Sequence, residues 1–329
     1  MTARVPAKLN LQLAVGPPRA DGYHGLVTVF HAVSLFDEVT VEPAAKDTAA
    51  KDTAAKDTVS VTGEGADRVP EDGDNLALRA VAALRAALPR RAARPGGVHV
   101  TIAKRIPVAA GLAGGSADAA AALVACNELW ASGFSQQRLA EVAAAVGSDV
   151  AFALVGGTAV GRGRGEQLTP ALVPSTQYYW VLAFADGQLS TPAVYTALDR
   201  LRASGPGKTS GPRKTAGPAK TAPGDPDLDA ALMSALRSGD AVRVGGRLSN
   251  DLQPAALSLF PALRKTLAAG LELGALGALV AGSGPTCAFL AANAERALEL
   301  AVSLSGAGVC RSVARVAGPV PGAAVVTAG

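Results

Sequence analysis

The chain has 329 residues, is 49% hydrophobic and carries a formal net charge of +4, so it can bury a substantial core and is long enough for two domains. It contains no run of about 18 apolar residues, and Met1 to Asn10 lacks the apolar region of a secretion signal, so we expect a cytoplasmic protein without a membrane partner. Its three cysteines are scattered, which excludes a disulfide framework and a zinc site with paired cysteines.

The positive charge comes from one segment. Gly205 to Gly224 repeats Gly-Pro-x-Lys-Thr and contains four basic residues and no acidic one, whereas the rest of the chain is balanced. This segment is the only basis for a nucleic-acid-binding hypothesis, and it has none of the interleaved aromatic residues that such a platform uses. We therefore expect a flexible loop and no nucleic-acid partner.

The first predicted element is a strand over Arg4 to Val15, because apolar and polar residues alternate along it. Its polar face carries Lys8, Asn10 and Gln12. The simpler interpretation is an ordinary solvated face. The alternative is that the lysine and an amide side chain bind one ligand together. A turn follows that holds Tyr23 and His24 between glycines, and then strands at Leu26 to Val33 and Val39 to Val41.

Two further segments precede the most informative motif. Ala44 to Thr58 reads Ala-Ala-Lys-Asp-Thr three times and is expected to be an expanded hairpin tip. Asn75 to Leu88 has the period of a helix. Val98 to Ile102 alternates as a strand and leads through Lys104 and Arg105 into a glycine-rich loop.

That loop, within Pro107 to Leu123, predicts a phosphate site. Gly111, Gly114 and Gly115 permit unusual backbone angles and a close approach to a ligand. Ser116 is expected to cap a helix that carries Asp118 in its first turn. The open N–H groups and the dipole of such a helix attract an anion. The loop is neither a P-loop, because the required lysine is missing, nor a dinucleotide fingerprint, because Ala113 replaces the second glycine.

Helices are expected from Ser116 to Trp130 and from Ser135 to Val146, followed by Asp149 as the cap of a third, short helix. As a cap, Asp149 would need no chemical role. The glycine-rich stretch from Gly156 to Gly165 predicts a domain boundary, which gives domains at 1–160 and 161–329.

The second half also mixes strands and helices, and the fold class is therefore α+β. Its predicted elements, in order, are a strand at Tyr178 to Ala185, a helix from Thr191 that carries Tyr195, helices near Asp229 to Arg237, Asp240 to Leu252 and Pro261 to Ala269, two strands joined by a glycine loop within Gly277 to Phe289, a helix at Ala294 to Leu304 and a strand near Val313 to Val316.

Three motifs together resemble the GHMP kinase superfamily. They are PAKLNL at Pro6 to Leu11, PVAAGLAGGSADAA at Pro107 to Ala120 and AGSGPTCAF at Ala281 to Phe289. DGYH at Asp21 to His24 and GSDV at Gly147 to Val150 narrow the resemblance to the 4-diphosphocytidyl-2-C-methyl-D-erythritol kinase family. The resemblance implies a two-domain GHMP kinase fold with the active site in the cleft between the domains.

The resemblance also implies an activity and a set of site residues. The activity is ATP-dependent phosphorylation of the 2-hydroxyl group of a CDP-linked methylerythritol, in the non-mevalonate route to isoprenoids. Lys8 and Asp149 match the catalytic pair, Asn10, Tyr23, His24 and Tyr195 match the substrate side, and Gly282, Ser283, Gly284 and Thr286 are expected to shape that side of the cleft. The expected ATP cradle consists of Pro107, Val108, Ala109, Ala110, Gly111, Leu112, Ala113, Gly114, Gly115, Ser116 and Ala117.

The cofactors implied are ATP and Mg²⁺. Ser116 is expected to contribute to binding Mg²⁺, and no acidic metal ligand is assigned. Two alternatives stay open: another GHMP kinase, of the homoserine or mevalonate type, and a catalytically silent nucleotide-binding protein in which Lys8 and Asp149 have only structural roles. The expected partner is a small-molecule substrate, and the expected state is a monomer or weak homodimer.

Overall fold

A computed structural model describes residues 1–20, 22–44, 56–89, 95–174, 176–204 and 226–326. Most of Ala44 to Thr58 and all of Gly205 to Gly224 lie outside the described residues. The hairpin tip and the flexible loop expected for these two repeats therefore stay predictions.

The strands form two separate sheets among the described residues. In chain order they are β1 (Thr2–Pro18), β2 (His24–Pro43), β3 (Thr58–Gly63), β4 (Val98–Lys104), β5 (Thr158–Gly163), β6 (Gln167–Pro170), β7 (Tyr178–Phe184), β8 (Ser249–Asn250), β9 (Gly277–Val280), β10 (Cys287–Ala291), β11 (Ser312–Gly318) and β12 (Ala324–Val325).

The helices lie between these strands along the chain, singly or in runs of up to three. They are α1 (Leu76–Ala87), α2 (Gly114–Leu129), α3 (Gln136–Val146), α4 (Ser148–Val155), α5 (Thr191–Ser204), α6 (Ala230–Ser238), α7 (Ala241–Gly245), α8 (Gln253–Leu259), α9 (Leu263–Glu272) and α10 (Ala294–Gly306). The mixture of helix and sheet confirms the predicted α+β class. No helix in the described ranges combines the length and the apolar character needed to cross a bilayer.

The larger sheet is built on the long antiparallel pair of β1 and β2. Its order is β12-β1-β2-β4-β3, with β5 and then β6 continuing from the start of β2 and β8 lying parallel to β1. The smaller sheet has the order β11-β7-β10-β9 and is antiparallel throughout. Strands from both sides of residue 160 join the larger sheet, and the boundary expected there stays a prediction.

Helix α2 is the central helix of the larger core. Its residues from Ala119 to Leu123 have no exposed surface, and most of them are alanines. Because an alanine side chain is one methyl group, the helix can approach the sheet closely and still fill the space between them. The beginning of α2, where the glycine-rich loop ends, lies beside Lys104 at the end of β4.

Two sequence-based expectations about the fold were wrong. The polar side chains of β1 are buried, with Lys8 8% exposed, because Gly282 lies against the Lys8 ammonium and residues 227 to 229 cover Gln12. Gln12, for example, donates to the carbonyl of Asp227 and accepts from the N–H of Asp229. The helix expected over Asp240 to Leu252 ends at Gly245, and β8 follows instead.

The burial of α2 leads to a stability prediction. Leu123→Ala is expected to lower the free energy of unfolding by about 2–5 kcal/mol, since a fully buried leucine leaves a cavity when it is shortened. The matched control is Leu172→Ala, because Leu172 is 91% exposed and its loss is expected to change stability by less than about 0.5 kcal/mol. Urea denaturation measures both, and equal effects would contradict the packing described here.

Candidate active site

One cavity of about 590 Å³ gathers residues from β1, the glycine-rich loop, α2, α4 and α5. A neighbouring cavity of about 620 Å³ lies around the start of β2 and the beginning of α5. Both cavities are lined by Leu26, Arg164, Thr191, Pro192 and Tyr195, so they are two parts of one cleft. The first is called the phosphate cavity below and the second the aromatic cavity.

The glycine-rich loop ends differently from the sequence-based expectation. The N-cap of α2 is Ala113, in a left-handed conformation with φ 59°, and its carbonyl accepts from the N–H of Ala117 at 2.9 Å. Ser116 is therefore the third residue of the helix, not its cap, and Asp118 lies beyond the first turn. Because the alanine cap has no oxygen in its side chain, it leaves the first N–H groups of α2 available to a ligand.

The glycines of the loop have two distinct roles. Gly111 has φ 76°, and a Cβ there would lie 1.9 Å from the carbonyl oxygen of Ala281. Gly114 is helical, and a Cβ there would press on the Lys104 ammonium at 3.0 Å. Only Gly111 is thus required for its left-handed backbone, whereas Gly114 makes room for a buried charge.

The second glycine loop packs directly against the first. Gly111 contacts Ala281 and Gly284, and the Asn250 side chain donates to the carbonyls of Val280 and Gly282 at 2.7 Å each. The first loop is also attached to β1, since the N–H of Lys8 donates to the carbonyl of Leu112. The two loops and β1 therefore form one continuous backbone wall around the phosphate cavity.

Lys8 and Asp149 face each other in the phosphate cavity. Lys8 Nζ donates to Asn10 Oδ1 at 2.7 Å and lies 3.9 Å from Asp149 Oδ2. Burial lowers the pKa of the Lys8 ammonium from its usual range, and the negative charge of Asp149 opposes that shift. Since 3.9 Å is too long for a hydrogen bond, the carboxylate attracts the ammonium and can still accept a proton from another group.

The expectation that Asp149 caps a helix was wrong in detail. Gly147 is the N-cap of α4, and Asp149 is the second residue of that helix, with its side chain about one third exposed. The carboxylate is therefore not used as a capping group and points toward the cleft, where it lines the phosphate cavity.

Sequence reasoning missed a buried ionic cluster behind the loop. Lys104 Nζ lies 2.5 Å from Asp37 Oδ2 and 2.8 Å from Asp118 Oδ2. Asp37 also accepts the N–H groups of Arg105 and Ile106, whereas Asp118 Oδ1 is buried without a partner among the described residues. A usable signal did exist, because Lys104 and Asp118 are charged residues within apolar runs. Nothing local pointed to Asp37.

Asp118 carries the unbalanced charge of this cluster. One ammonium faces two carboxyl groups, so full ionisation would leave a net negative charge in the core. Burial raises the pKa of Asp118 to about 8, with a further contribution from Asp37, and Lys104 opposes the shift. Asp37 has more hydrogen-bond donors, so the proton that neutralises the cluster belongs to Asp118.

The aromatic cavity brings together three of the predicted substrate residues. The rings of His24 and Tyr195 lie 5.0 Å apart, and Tyr23, which is 55% exposed, lies at the mouth. Burial raises the pKa of Tyr195 to about 12, and the nearby Asp149 adds to that shift. Tyr195 thus lies close to Asp149 as well as to His24.

Two more residues in this region were not foreseen. The Arg164 guanidinium lies 4.8 Å from the centroid of the Tyr23 ring and lines both cavities. Asp199 accepts a hydrogen bond from His24 Nε2 at 3.0 Å. The sequence offered one signal for Arg164, an arginine within a glycine-rich stretch. It offered no local signal for Asp199.

Comparison with known proteins places these observations in a family. The model of the GHMP kinases N terminal domain matches residues 75–157, and that of the GHMP kinases C terminal matches residues 232–310. The chain is 54% identical to the 4-diphosphocytidyl-2-C-methyl-D-erythritol kinase of Thermobifida fusca, over 99% of this chain and 98% of the relative.

Solved structures agree with this assignment. A crystal structure of 4-(cytidine 5'-diphospho)-2C-methyl-D-erythritol kinase superposes with a TM-score of 0.70 at 32% identity. The match covers 96% of this chain and 98% of the solved chain. Homoserine kinase from Cytophaga hutchinsonii gives a TM-score of 0.65 at 19% identity, over 99% of this chain and 94% of its own. The second likeness concerns the fold alone.

The contact between the two glycine loops leads to a prediction. Gly111→Ala is expected to weaken ATP binding at least about tenfold, because the added Cβ forces the loops apart at a left-handed position. Gly306→Ala is the control, since no atom lies within 4 Å of the added Cβ and the position has no positive φ. Titration calorimetry with ATP checks both variants, and unchanged affinity in the first would show that the loop contact is not needed.

The protonation of Asp118 leads to a prediction about pH. The folded chain holds this proton up to about pH 8 and the unfolded chain releases it near its ordinary pKa of 3.8, so the free energy of unfolding should fall as the pH rises between these values. Asp118→Asn, which resembles the protonated acid, is expected to flatten that fall.

Urea denaturation at several pH values from 5 to 9 makes the comparison. The control is Asp186→Asn, which removes one exposed carboxylate without touching the cluster and should keep the pH dependence of the parent. Parallel curves for the parent and Asp118→Asn would contradict the assignment of the proton to Asp118.

Proposed function

The chain belongs to the 4-diphosphocytidyl-2-C-methyl-D-erythritol kinases of the GHMP kinase family, and we propose that it transfers a phosphoryl group from ATP to the 2-hydroxyl group of 4-diphosphocytidyl-2-C-methyl-D-erythritol. The products are the 2-phosphate and ADP, in the non-mevalonate route to isoprenoid precursors. The observation that carries the proposal is the meeting of Lys8 and Asp149 between a phosphate loop and an aromatic cavity.

In this proposal Asp149 receives the proton of the substrate hydroxyl. The hydroxyl oxygen forms a bond to the γ-phosphorus of ATP, the bond from that phosphorus to the bridging oxygen breaks, and ADP leaves with the electron pair. The carboxylate accepts the released proton, and Lys8, held by Asn10, stabilises negative charge on the attacking oxygen. The 3.9 Å between the two charges keeps both available to the hydroxyl.

The cradle from Pro107 to Ala117 fits the phosphates of ATP. Left-handed backbone at Ala109, Gly111 and Ala113 bends the loop tightly in front of α2. The first N–H groups of that helix, together with its dipole, attract the phosphate oxygens. Two alanines at positions with positive φ store strain that an ordinary connecting loop would have no reason to hold.

Mg²⁺ belongs to the proposal as well. No group of three or more His, Cys, Asp or Glu among the described residues could hold a metal ion, which fits a cation bound mainly by phosphate oxygens and water. The Ser116 hydroxyl lines the phosphate cavity and is not used as a cap, so it is the protein oxygen assigned to this ion. When bound, Mg²⁺ neutralises charge that develops on the transferred phosphoryl group.

The aromatic cavity is proposed to bind the cytidine end of the substrate. Tyr23 and Tyr195 offer ring faces for stacking on the base, and His24 offers a ring nitrogen for hydrogen bonding. Arg164 lies between the two cavities, and its guanidinium suits the diphosphate that links the two ends of the substrate. A cytoplasmic location and a monomeric or weakly dimeric state stay predictions.

The experiment that tests the proposal measures ADP release with Mg²⁺ and ATP. The cytidyl alcohol, homoserine and mevalonate are offered in parallel, because the other kinases of the fold share the phosphate loop without needing an aromatic cavity. Asp149→Asn is expected to lower kcat with the cytidyl alcohol by about 10² to 10⁴. Glu272→Gln, which removes an exposed carboxylate at the end of α9, should leave turnover intact.

Each outcome separates one hypothesis from the others. Turnover with homoserine or mevalonate alone would keep the fold and the ATP site but refute the roles given to Tyr23, His24 and Tyr195. Absence of turnover with all three alcohols would favour the silent nucleotide-binding protein. Full activity of Asp149→Asn would instead refute the role of Asp149 as proton acceptor and leave the kinase assignment standing.

A further inference from the structure

The hydrogen bond between His24 and Asp199 takes no part in the phosphoryl transfer described above. His24 begins β2, whereas Asp199 follows Tyr195 by one helical turn on α5. Residues four apart share a helix face, so α5 presents a ring and a carboxylate to the same imidazole. The contacts in the structure agree: the His24 and Tyr195 rings are 5.0 Å apart, and Nε2 lies 3.0 Å from Asp199 Oδ1.

This contact decides which nitrogen of His24 carries the proton. A carboxylate accepts hydrogen bonds and donates none, so Nε2 must be the protonated nitrogen. In a neutral imidazole the other nitrogen, Nδ1, then carries a lone pair and accepts. Nδ1 has no hydrogen-bond partner within the part of the chain that the structure describes, and His24 lines the aromatic cavity. The nitrogen left for a ligand is thus an acceptor.

We propose that Asp199 is a positioning residue that holds the His24 proton on Nε2 and so makes the aromatic cavity select cytosine over uracil. The inference rests on the proposed function, because it requires a pyrimidine base in this cavity. Cytosine carries an amino group at position 4, which donates, whereas uracil carries a carbonyl there, which accepts. An acceptor at Nδ1 forms a hydrogen bond with the amino group of cytosine and repels the carbonyl of uracil. The opposite tautomer would reverse that preference.

The location of Asp199 makes the proposal testable without disrupting the fold. Its side chain is 36% exposed, so changing it should leave the core intact. Asp199→Asn can present either an oxygen or an NH₂ group to Nε2 and therefore no longer selects one tautomer. Asp199→Ala removes the partner altogether and serves as a second variant.

Titration calorimetry with CDP and with UDP gives the ratio of the two affinities. The titrations are done at about pH 8, where a histidine is ordinarily neutral. The parent chain is expected to prefer CDP, and Asp199→Asn should lower the preference about tenfold, as the loss of one well-placed hydrogen bond would. Asp186→Asn, which removes a carboxylate outside the aromatic cavity, should keep the parent ratio.

Nitrogen-15 NMR of the imidazole rings gives a readout that a merely structural role would not move. The chain has three histidines, and His24→Gln identifies the signals of His24. The parent should show the Nε2–H tautomer, and Asp199→Asn and Asp199→Ala should both show a shift toward Nδ1–H. Thermal denaturation verifies that each variant is folded.

The outcomes distinguish this inference from the function on which it rests. An unchanged affinity ratio in both folded Asp199 variants, or an unchanged tautomer, would overturn the role of Asp199. Failure of the parent to bind CDP while it binds ATP would instead overturn the proposed substrate, and the selectivity inference with it.

Discussion

The close backbone contact between the two glycine loops is the constraint on which the rest of the site depends. Gly111 lies so near Ala281 that no side chain fits between them, and Asn250 holds the second loop while Lys8 ties the first to β1. These contacts join the two glycine loops and β1 at the wall of the cleft. A loop fixed in this way needs little rearrangement when a ligand binds, and such preorganisation favours the proposed phosphoryl transfer.

Two buried lysines near this wall differ in how completely their charge is compensated. Lys104 is held by the Asp37 carboxylate, which backbone N–H groups fix, and by the protonated carboxyl group of Asp118, so its charge supports the loop from behind. Lys8 has one amide at hydrogen-bond distance and one carboxylate farther away. Because a buried charge with incomplete compensation gains most from a new partner, Lys8 is the one suited to stabilise a substrate oxygen.

Helix α5 contributes several residues to the side of the cleft that is proposed to bind the substrate. Tyr195 and Asp199 share a face of α5, and Thr191 at its start bonds to Ser283 of the second glycine loop at 2.8 Å. The helix therefore links the second glycine loop, which borders Lys8, to the ring that is proposed to meet the base. Aromatic stacking tolerates any base, so the choice between bases must come from polar atoms held in a defined orientation.

The sequence by itself determined the features that act over a few residues: the α+β order of elements, the glycine loops and the helix that follows the first of them. Tertiary structure alone decided which polar residues are buried and what they meet. In the sequence, the polar face of β1 was indistinguishable from a solvated one, because Gly282 and residues 227 to 229, which bury it, are distant along the chain. Ala113, not Ser116, is the N-cap of α2, because the loop enters the helix left-handed. Asp37 reaches Lys104 across 67 residues and Asp199 reaches His24 across 175. Local propensity carries no information over such separations, since burial and ion pairing depend on how whole elements pack.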